Sequence, residues 1–217
     1  MLIFDRNPTF QAMASEQKWI VVRIDGKIAA VSTDYKLLAS ISTTLAKGTR
    51  SGKAKNETAH IYSNITATAV GLEEIWKLKE ETTWDDLLLF GTEFQKKVWR
   101  KLWDLSHTEN ESSQSISLIS YSDFAELCQN RAGVRAVAHA IGLNPVSVII
   151  PCHLVIPKES IDKIKEIHKK AEATIFKGDD LCINSILSDS SIDFGEYALG
   201  RKLKRKLILK ELTNGLS

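Results

Sequence analysis

The sequence predicts a two-part chain: an α/β (α+β) N-terminal unit over residues 1–88, then a largely helical C-terminal domain over residues 89–217. Three observations carry that reading. Residues 18–33 hold two β-rich runs joined at Asp25-Gly26, a dipeptide suited to a tight hairpin turn. Beyond Phe90-Gly91 the apolar residues recur at the spacing of an amphipathic helix. A run rich in β-branched residues, Val146 to Ile150, then ends on Pro151-Cys152-His153. A chain of 217 residues suits one large domain or two small ones, and either can bury a sizeable core.

In the first part, Tyr35 to Ala46 places Leu37, Leu38, Ile41 and Leu45 at helical spacing and stops before Gly48. Ser51 to Glu57 is polar and charged, which predicts a loop. His60 to Val70 is rich in β-formers and is expected to pair with the first hairpin. Asp25, Asp34, Glu73 and Glu74 are scattered and read as solvated surface charge.

In the second part, Thr92 is a good N-cap for a helix over Glu93 to Leu105, with Phe94, Val98, Leu102 and Leu105 on one face. His107 to Ser117 is a polar loop, and Ile116, Leu118 and Ile119 suggest a short strand. Ser120 followed by Asp123 opens a helix over Tyr121 to Gln129 in the manner of a capping box. Asn130-Arg131-Ala132-Gly133 is turn material. A second short helix over Val134 to Gly142, with Val134, Val137, Ala138 and Ile141 inward, is stopped by Asn144-Pro145. Val146 to Ile150 then predicts a core strand that must end at Pro151, which cannot donate to a ladder. Two short helices joined by a glycine-containing turn fit either a DNA-reading helix-turn-helix or an ordinary helical hairpin.

Composition limits the function classes. At 43% hydrophobic and 26% charged, with a net charge of +2, the chain reads as a soluble globular protein whose basic surface is local. Cys128, Cys152 and Cys182 are too few and too scattered for a disulfide framework, and no zinc-type cysteine spacing is present, so no metal is expected. The first ten residues contain Asp5, Arg6 and Pro8 and are not expected to act as a signal peptide. No stretch approaches the roughly 18 apolar residues of a membrane span. The expected location is the cytoplasm, or the nucleus of a eukaryote, with no membrane partner.

Cys152 sits where a predicted strand hands over to a loop, with an imidazole beside it. Two readings are open on these residues alone. A free cysteine is commonly a buried small hydrophobe. With a base nearby it becomes a thiolate, the reactive species of a nucleophilic or redox cysteine. Residues 201–210 carry six basic side chains and no acid, which suits either a phosphate-facing surface or a solvated helix face.

Taken together, several pieces resemble the O6-alkylguanine-DNA alkyltransferase (methylated-DNA–protein-cysteine methyltransferase) family. They are Gly91-Thr92-Glu93-Phe94-Gln95, Ser120-Tyr121, Arg135-Ala136-Val137, Asn144-Pro145-Val146, Ile150-Pro151-Cys152-His153, and a terminal helix with Lys204, Leu207 and Glu211. The resemblance is close over about 90–156 and loose over 194–212. It implies a ribonuclease-H-like N-terminal unit and a winged-helix-like DNA-binding domain. It also implies a single-turnover reaction in which Cys152 takes the alkyl group from O6-alkylguanine, with O4-alkylthymine as a second candidate. No cofactor is needed, and the partner is double-stranded DNA bound through its minor groove by a monomer. The resemblance makes His153 the base, through a water, Glu211 its orienter, and Tyr121 the donor to guanine N3. Arg135 would fill the gap left by a flipped base, with Ser120, Ala136, Asn144 and Tyr197 as further DNA-side residues, and Asn144 matches the family asparagine that braces the turn between helix and strand. Plainer readings stay open: Tyr121 as a core aromatic, Glu211 as a helix-surface charge, Arg135 as a phosphate contact, and Asn144 as a generic helix stop.

The chain also departs from that pattern. Leu154 stands where the family has arginine, and Tyr197-Ala198-Leu199-Gly200 replaces a glycine-richer loop. Residues 157–193 exceed the short turn expected there. Ser160 to Phe176 predicts an inserted amphipathic helix, and Gly178 to Asp193 a polar loop carrying Cys182. The competing functions are a binder of alkylated DNA that leaves the lesion in place, and a cysteine hydrolase. The hydrolase is disfavoured, since no glycine-rich donor loop for an oxyanion adjoins Cys152.

Overall fold

The computed structural model describes residues 18–34, 64–107, 118–172, 186 and 189–214. The expected helix at Tyr35 to Ala46, the loop at Ser51 to Glu57, most of the His107 to Ser117 loop and Cys182 lie outside the described residues. The chain divides into two compact units: Met1–Lys96 with Asn144–Ile150, and Lys97–Leu143 with Pro151–Ser217. Among the described residues no helix is long and apolar enough to cross a membrane.

In the first unit, β1 (Trp19–Ile24) and β2 (Lys27–Ser32) form the hairpin expected around Asp25-Gly26. Asp25 and Gly26 both have positive φ, 48° and 85°, as the turn that matches strand twist requires. β3 (Ile65–Val70) pairs antiparallel with β1, giving the order β2-β1-β3. The sheet buries Ile20, Val22, Ile24, Ala29 and Ala30, with Ala67, Leu88 and Phe90 packed against them. Helix α1 (Leu72–Glu81) follows, its first turn closed by the Glu74 carboxylate accepting from Gly71 N–H.

Residues 144–150 correct the expectation of a strand. They are buried, as predicted, but the backbone folds back on itself. Ile150 N–H donates to Val146 O at 2.9 Å, and the β-branched Val148 sits at φ 73°. Backbone hydrogen bonds from Val31 N–H to Pro145 O and from Ser147 N–H to Val31 O tie the segment to β2. The Asn144 amide explains the turn: its Nδ2–H donates to Ile150 O at 2.8 Å, and its Oδ1 accepts from Val146 N–H at 3.0 Å. One side chain satisfies two buried backbone groups that a ladder would otherwise have to pair.

The second unit is mainly helical. Helix α2 (Glu93–His107) carries a reciprocal cap, with Gln95 N–H on Thr92 Oγ1 and Thr92 N–H on Gln95 Oε1. Its buried face is Val98, Trp99, Leu102 and Trp103, whereas Phe94 is 38% exposed. The expected stripe is thus rotated, because the two tryptophans offer more apolar surface than Phe94 and Leu105. Trp99 Nε1–H donates to Ala140 O at 2.8 Å and ties α2 to α4 (Val134–Gly142), whose bounds match the sequence expectation. Helix α3 (Tyr121–Leu127) is capped by Ser120 and joined to α4 through a turn at Arg131–Gly133.

β4 (Ile119–Ser120) pairs in parallel with β5 (Val155–Ile156). Helices α5 (Lys158–Glu172) and α6 (Arg201–Asn214) complete the unit. Ile156, Ile161, Ile164, Ile192, Phe194 and Ile208 form a core shared by β5, both helices and the segment between them.

Candidate active site

Pro151 cannot donate a hydrogen bond, and the chain turns sharply after it: Cys152, His153 and Leu154 form one 3-10 turn whose three side chains are buried. Cys152 is 4% exposed, and its thiol lies 3.8 Å from the Tyr197 hydroxyl, to which it donates. His153 is fully buried, with Nε2 2.9 Å from Glu211 Oε1 of α6. Glu211 is itself 6% exposed, so the carboxylate faces the imidazole away from bulk water, where such an interaction is strong. A carboxylate accepts from Nε2–H, so a neutral ring bonded this way has Nδ1 as its proton acceptor.

Lys204 lies at the centre of the site. It is fully buried, and its ammonium donates to Val155 O at 2.7 Å, Glu196 O at 3.3 Å and the Tyr121 hydroxyl at 3.4 Å. Burial pulls its pKa down from 10.5 to about 8, against the opposing pull of Cys152, Asp193 and Glu196. Tyr121, the first residue of α3, is half-buried, and the Lys204 ammonium lies 5.5 Å from its ring centroid. Burial raises the phenol pKa, and negative charge on Cys152 raises it further. Cys128 makes a contrast: burial pushes its thiol up, with only Lys101 working the other way. Thiol, imidazole, carboxylate, ammonium and the two phenols converge from the 3-10 turn, α3, α6 and the loop that precedes α6. The set can generate a thiolate and hand a proton to a leaving group. No cluster able to hold a metal ion occurs among the described residues.

Residues 93–173 match a family model described as 6-O-methylguanine DNA methyltransferase, DNA binding domain. Over these residues the chain is similar to the O6-alkylguanine-DNA alkyltransferases. A probable methylated-DNA–protein-cysteine methyltransferase of Acanthamoeba polyphaga mimivirus is 41% identical over 75 residues, 35% of this chain and 45% of the relative. An inducible methylated-DNA–protein-cysteine methyltransferase of Bacillus subtilis is 43% identical over 68 residues, 31% of this chain and 34% of the relative. The match thus spans less than half the length of either relative. The O6-methylguanine-DNA methyltransferase of Pyrococcus kodakaraensis aligns over 89% of this chain and 90% of its own, at 22% identity and a TM-score of 0.44.

The alkyltransferase motifs fall in different places. Cys152, His153, Glu211, Tyr121 and Tyr197 come together as described. Arg135 and Ala136 are exposed at the start of α4. Ser120 and Asn144 are buried, and their side chains hold the backbone of their own turns. Ser120 is fully buried, and its hydroxyl accepts from Asp123 N–H at 3.1 Å as the cap of α3. Asn144 is 3% exposed, with both ends of its amide on backbone groups. Leu154, in place of the family's arginine, is wholly buried.

Lys204 is the residue whose place in the site sequence reasoning misses: it belongs to the terminal-helix match and to the six basic residues of 201–210, and neither assigns it a role beside Tyr121. A signal was available in the spacing. Lys204, Leu207, Ile208 and Glu211 follow the buried stripe of a helix, while Arg201, Lys202 and Lys206 lie exposed. The same stripe marks Glu211 as inward-facing and removes the reading of a helix-surface charge.

Proposed function

We propose that this chain is a direct-reversal DNA repair protein that moves the alkyl group of O6-alkylguanine in double-stranded DNA onto Cys152, once per molecule. The observation that supports the reading is the buried His153–Glu211 pair, whose imidazole lies in the same turn as the Cys152 thiol.

In this mechanism Glu211 holds the Nε2–H tautomer, and Nδ1 accepts the Cys152 proton through a water. The thiolate attacks the alkyl carbon in line, a C–S bond forms, and the C–O6 bond breaks with its electron pair retained by the guanine. Tyr121 donates its proton to ring N3, so guanine departs neutral. The Lys204 ammonium, 3.4 Å away, stabilises the phenolate until solvent returns the proton. A thioether has no simple route back, which makes the protein stoichiometric, and none of these steps calls on a cofactor.

A duplex lesion reaches a buried thiol only when flipped out, at a cost of about a few kcal/mol. Arg135, exposed at the start of α4, fills the vacated stack, with Ala136 beside it allowing close approach to a sugar-phosphate backbone in the minor groove. The same reading takes residues 89–217 as a winged-helix-like domain acting as a monomer, and residues 1–88 as a ribonuclease-H-like unit.

The test is transfer of label from DNA containing radiolabelled O6-methylguanine. The expected result is one label per molecule, lost in Cys152→Ala and kept in Cys128→Ala. An absence of transfer refutes the proposal, and damaged-base binding without transfer would establish the non-catalytic binder instead.

A further inference from the structure

Helix α5 comes from the stretch in which this chain exceeds the family pattern, and the chemistry above makes no use of it. It nevertheless holds the segment that leads into the Cys152 site. Ser160, 3% exposed, donates its hydroxyl to Asp193 O at 2.6 Å. One turn later Lys163 Nζ donates to Ser191 O at 2.7 Å. Ile161 and Ile164 share one buried cluster with Ile192 and Phe194, so the same face of α5 holds that segment by packing as well.

The held segment runs directly into the site. Asp193 Oδ1 accepts from Gly195 N–H at 2.9 Å, and Gly195 turns at φ 80°. A Cβ there would meet the Pro157 ring at 3.1 Å, so the loop presses on the residue that precedes α5. Glu196 O is bound by Lys204, and Tyr197 brings its hydroxyl to 3.8 Å from the Cys152 sulfur. The position of Tyr197 relative to the thiol therefore depends on backbone carbonyls gripped from α5.

We propose that Ser160 is a positioning residue: by holding Asp193 O it fixes the loop that carries Tyr197, and so sets how bulky a group can reach Cys152. The inference rests on Cys152 as the alkyl acceptor but is tested without DNA. In the full-length chain, Cys152 is labelled by iodoacetamide and by the bulkier N-benzylmaleimide, and each rate is read at the Cys152 peptide by mass spectrometry. Loss of one hydrogen bond in Ser160→Ala is expected to raise the bulky-to-small rate ratio about fivefold. Ser160→Thr keeps a hydroxyl and is expected to restore the wild-type ratio. Lys163→Ala, at an exposed site that cannot unfold the core, moves the ratio the same way by a smaller factor. An unchanged ratio in both alanine variants overturns the proposal, as does an equal rise at Cys128, which would signal general loosening. Failure of transfer from O6-methylguanine DNA alongside the expected ratio change would instead refute the repair reading alone.

Discussion

Lys204→Met is expected to make the protein more stable near neutral pH and less active at the same time. A fall in the lysine pKa from 10.5 to about 8 means the buried ammonium is disfavoured in the folded state by about 3 kcal/mol. The sign follows from proton uptake. Between pH 10.5 and 8 the unfolded chain binds a proton at Lys204 that the folded chain does not, so stability falls as pH drops through that window. Below about 8 both states are charged and the penalty is constant. Methionine removes the penalty but leaves Val155 O without the donor it has at 2.7 Å, a loss of about 1–3 kcal/mol. The net gain at pH 7 is therefore small.

The pH dependence isolates the charge, because the lost hydrogen bond weighs on the variant at every pH. Urea unfolding of both proteins at pH 7 and pH 10 should show the stability difference shifting by about 2–3 kcal/mol in favour of wild type at the higher pH. A difference that stays constant across the two pH values would refute the reasoning and show that Lys204 is not a strained buried cation. Alkyl transfer should meanwhile slow by about tenfold, from loss of the hydrogen bond to the Tyr121 oxygen.

Three further outcomes are expected. Glu211→Gln keeps the shape but removes the charge facing His153, and should slow label transfer to Cys152 by about 10- to 100-fold with the fold intact; an unchanged rate would exclude Glu211 as the orienter. Asn144→Ala strips both backbone bridges of the 144–150 turn and should destabilise by about 2–4 kcal/mol in urea unfolding, with a loss below about 1 kcal/mol counting against the brace. Arg135→Ala should weaken binding to duplex DNA and slow label transfer, while iodoacetamide labelling of Cys152 keeps its wild-type rate; slower labelling would place Arg135 in the thiol site rather than on the DNA face.

Elements set by neighbours a few residues apart were legible in the chain. The hairpin at Asp25-Gly26 follows from backbone twist, the start of α2 from the Thr92–Gln95 cap, and the bounds of α4 from apolar period and the Asn144-Pro145 stop. Val146 to Ile150 misled because β-branched content measures fit to a buried surface as much as an extended backbone. The buried half of that expectation held, and the extended half yielded to the Asn144 amide.

The sequence by itself determined the thiol at Cys152, its neighbouring imidazole and the alkyltransferase-like pattern around them, because those rest on residue type and short spacing. Only the tertiary structure brings the expected Glu211 against His153, buries Lys204 beside Tyr121 and lets α5 hold the segment before Tyr197. The pairs involved are 58 residues apart for His153 and Glu211 and 83 apart for Lys204 and Tyr121, a separation closed by packing of apolar faces. The helical stripe of Lys204, Leu207, Ile208 and Glu211 marks those residues as inward-facing but does not name the partners that surround their charges. That environment is supplied by α6 lying with its buried stripe against the turn at Cys152 and the strand that follows it.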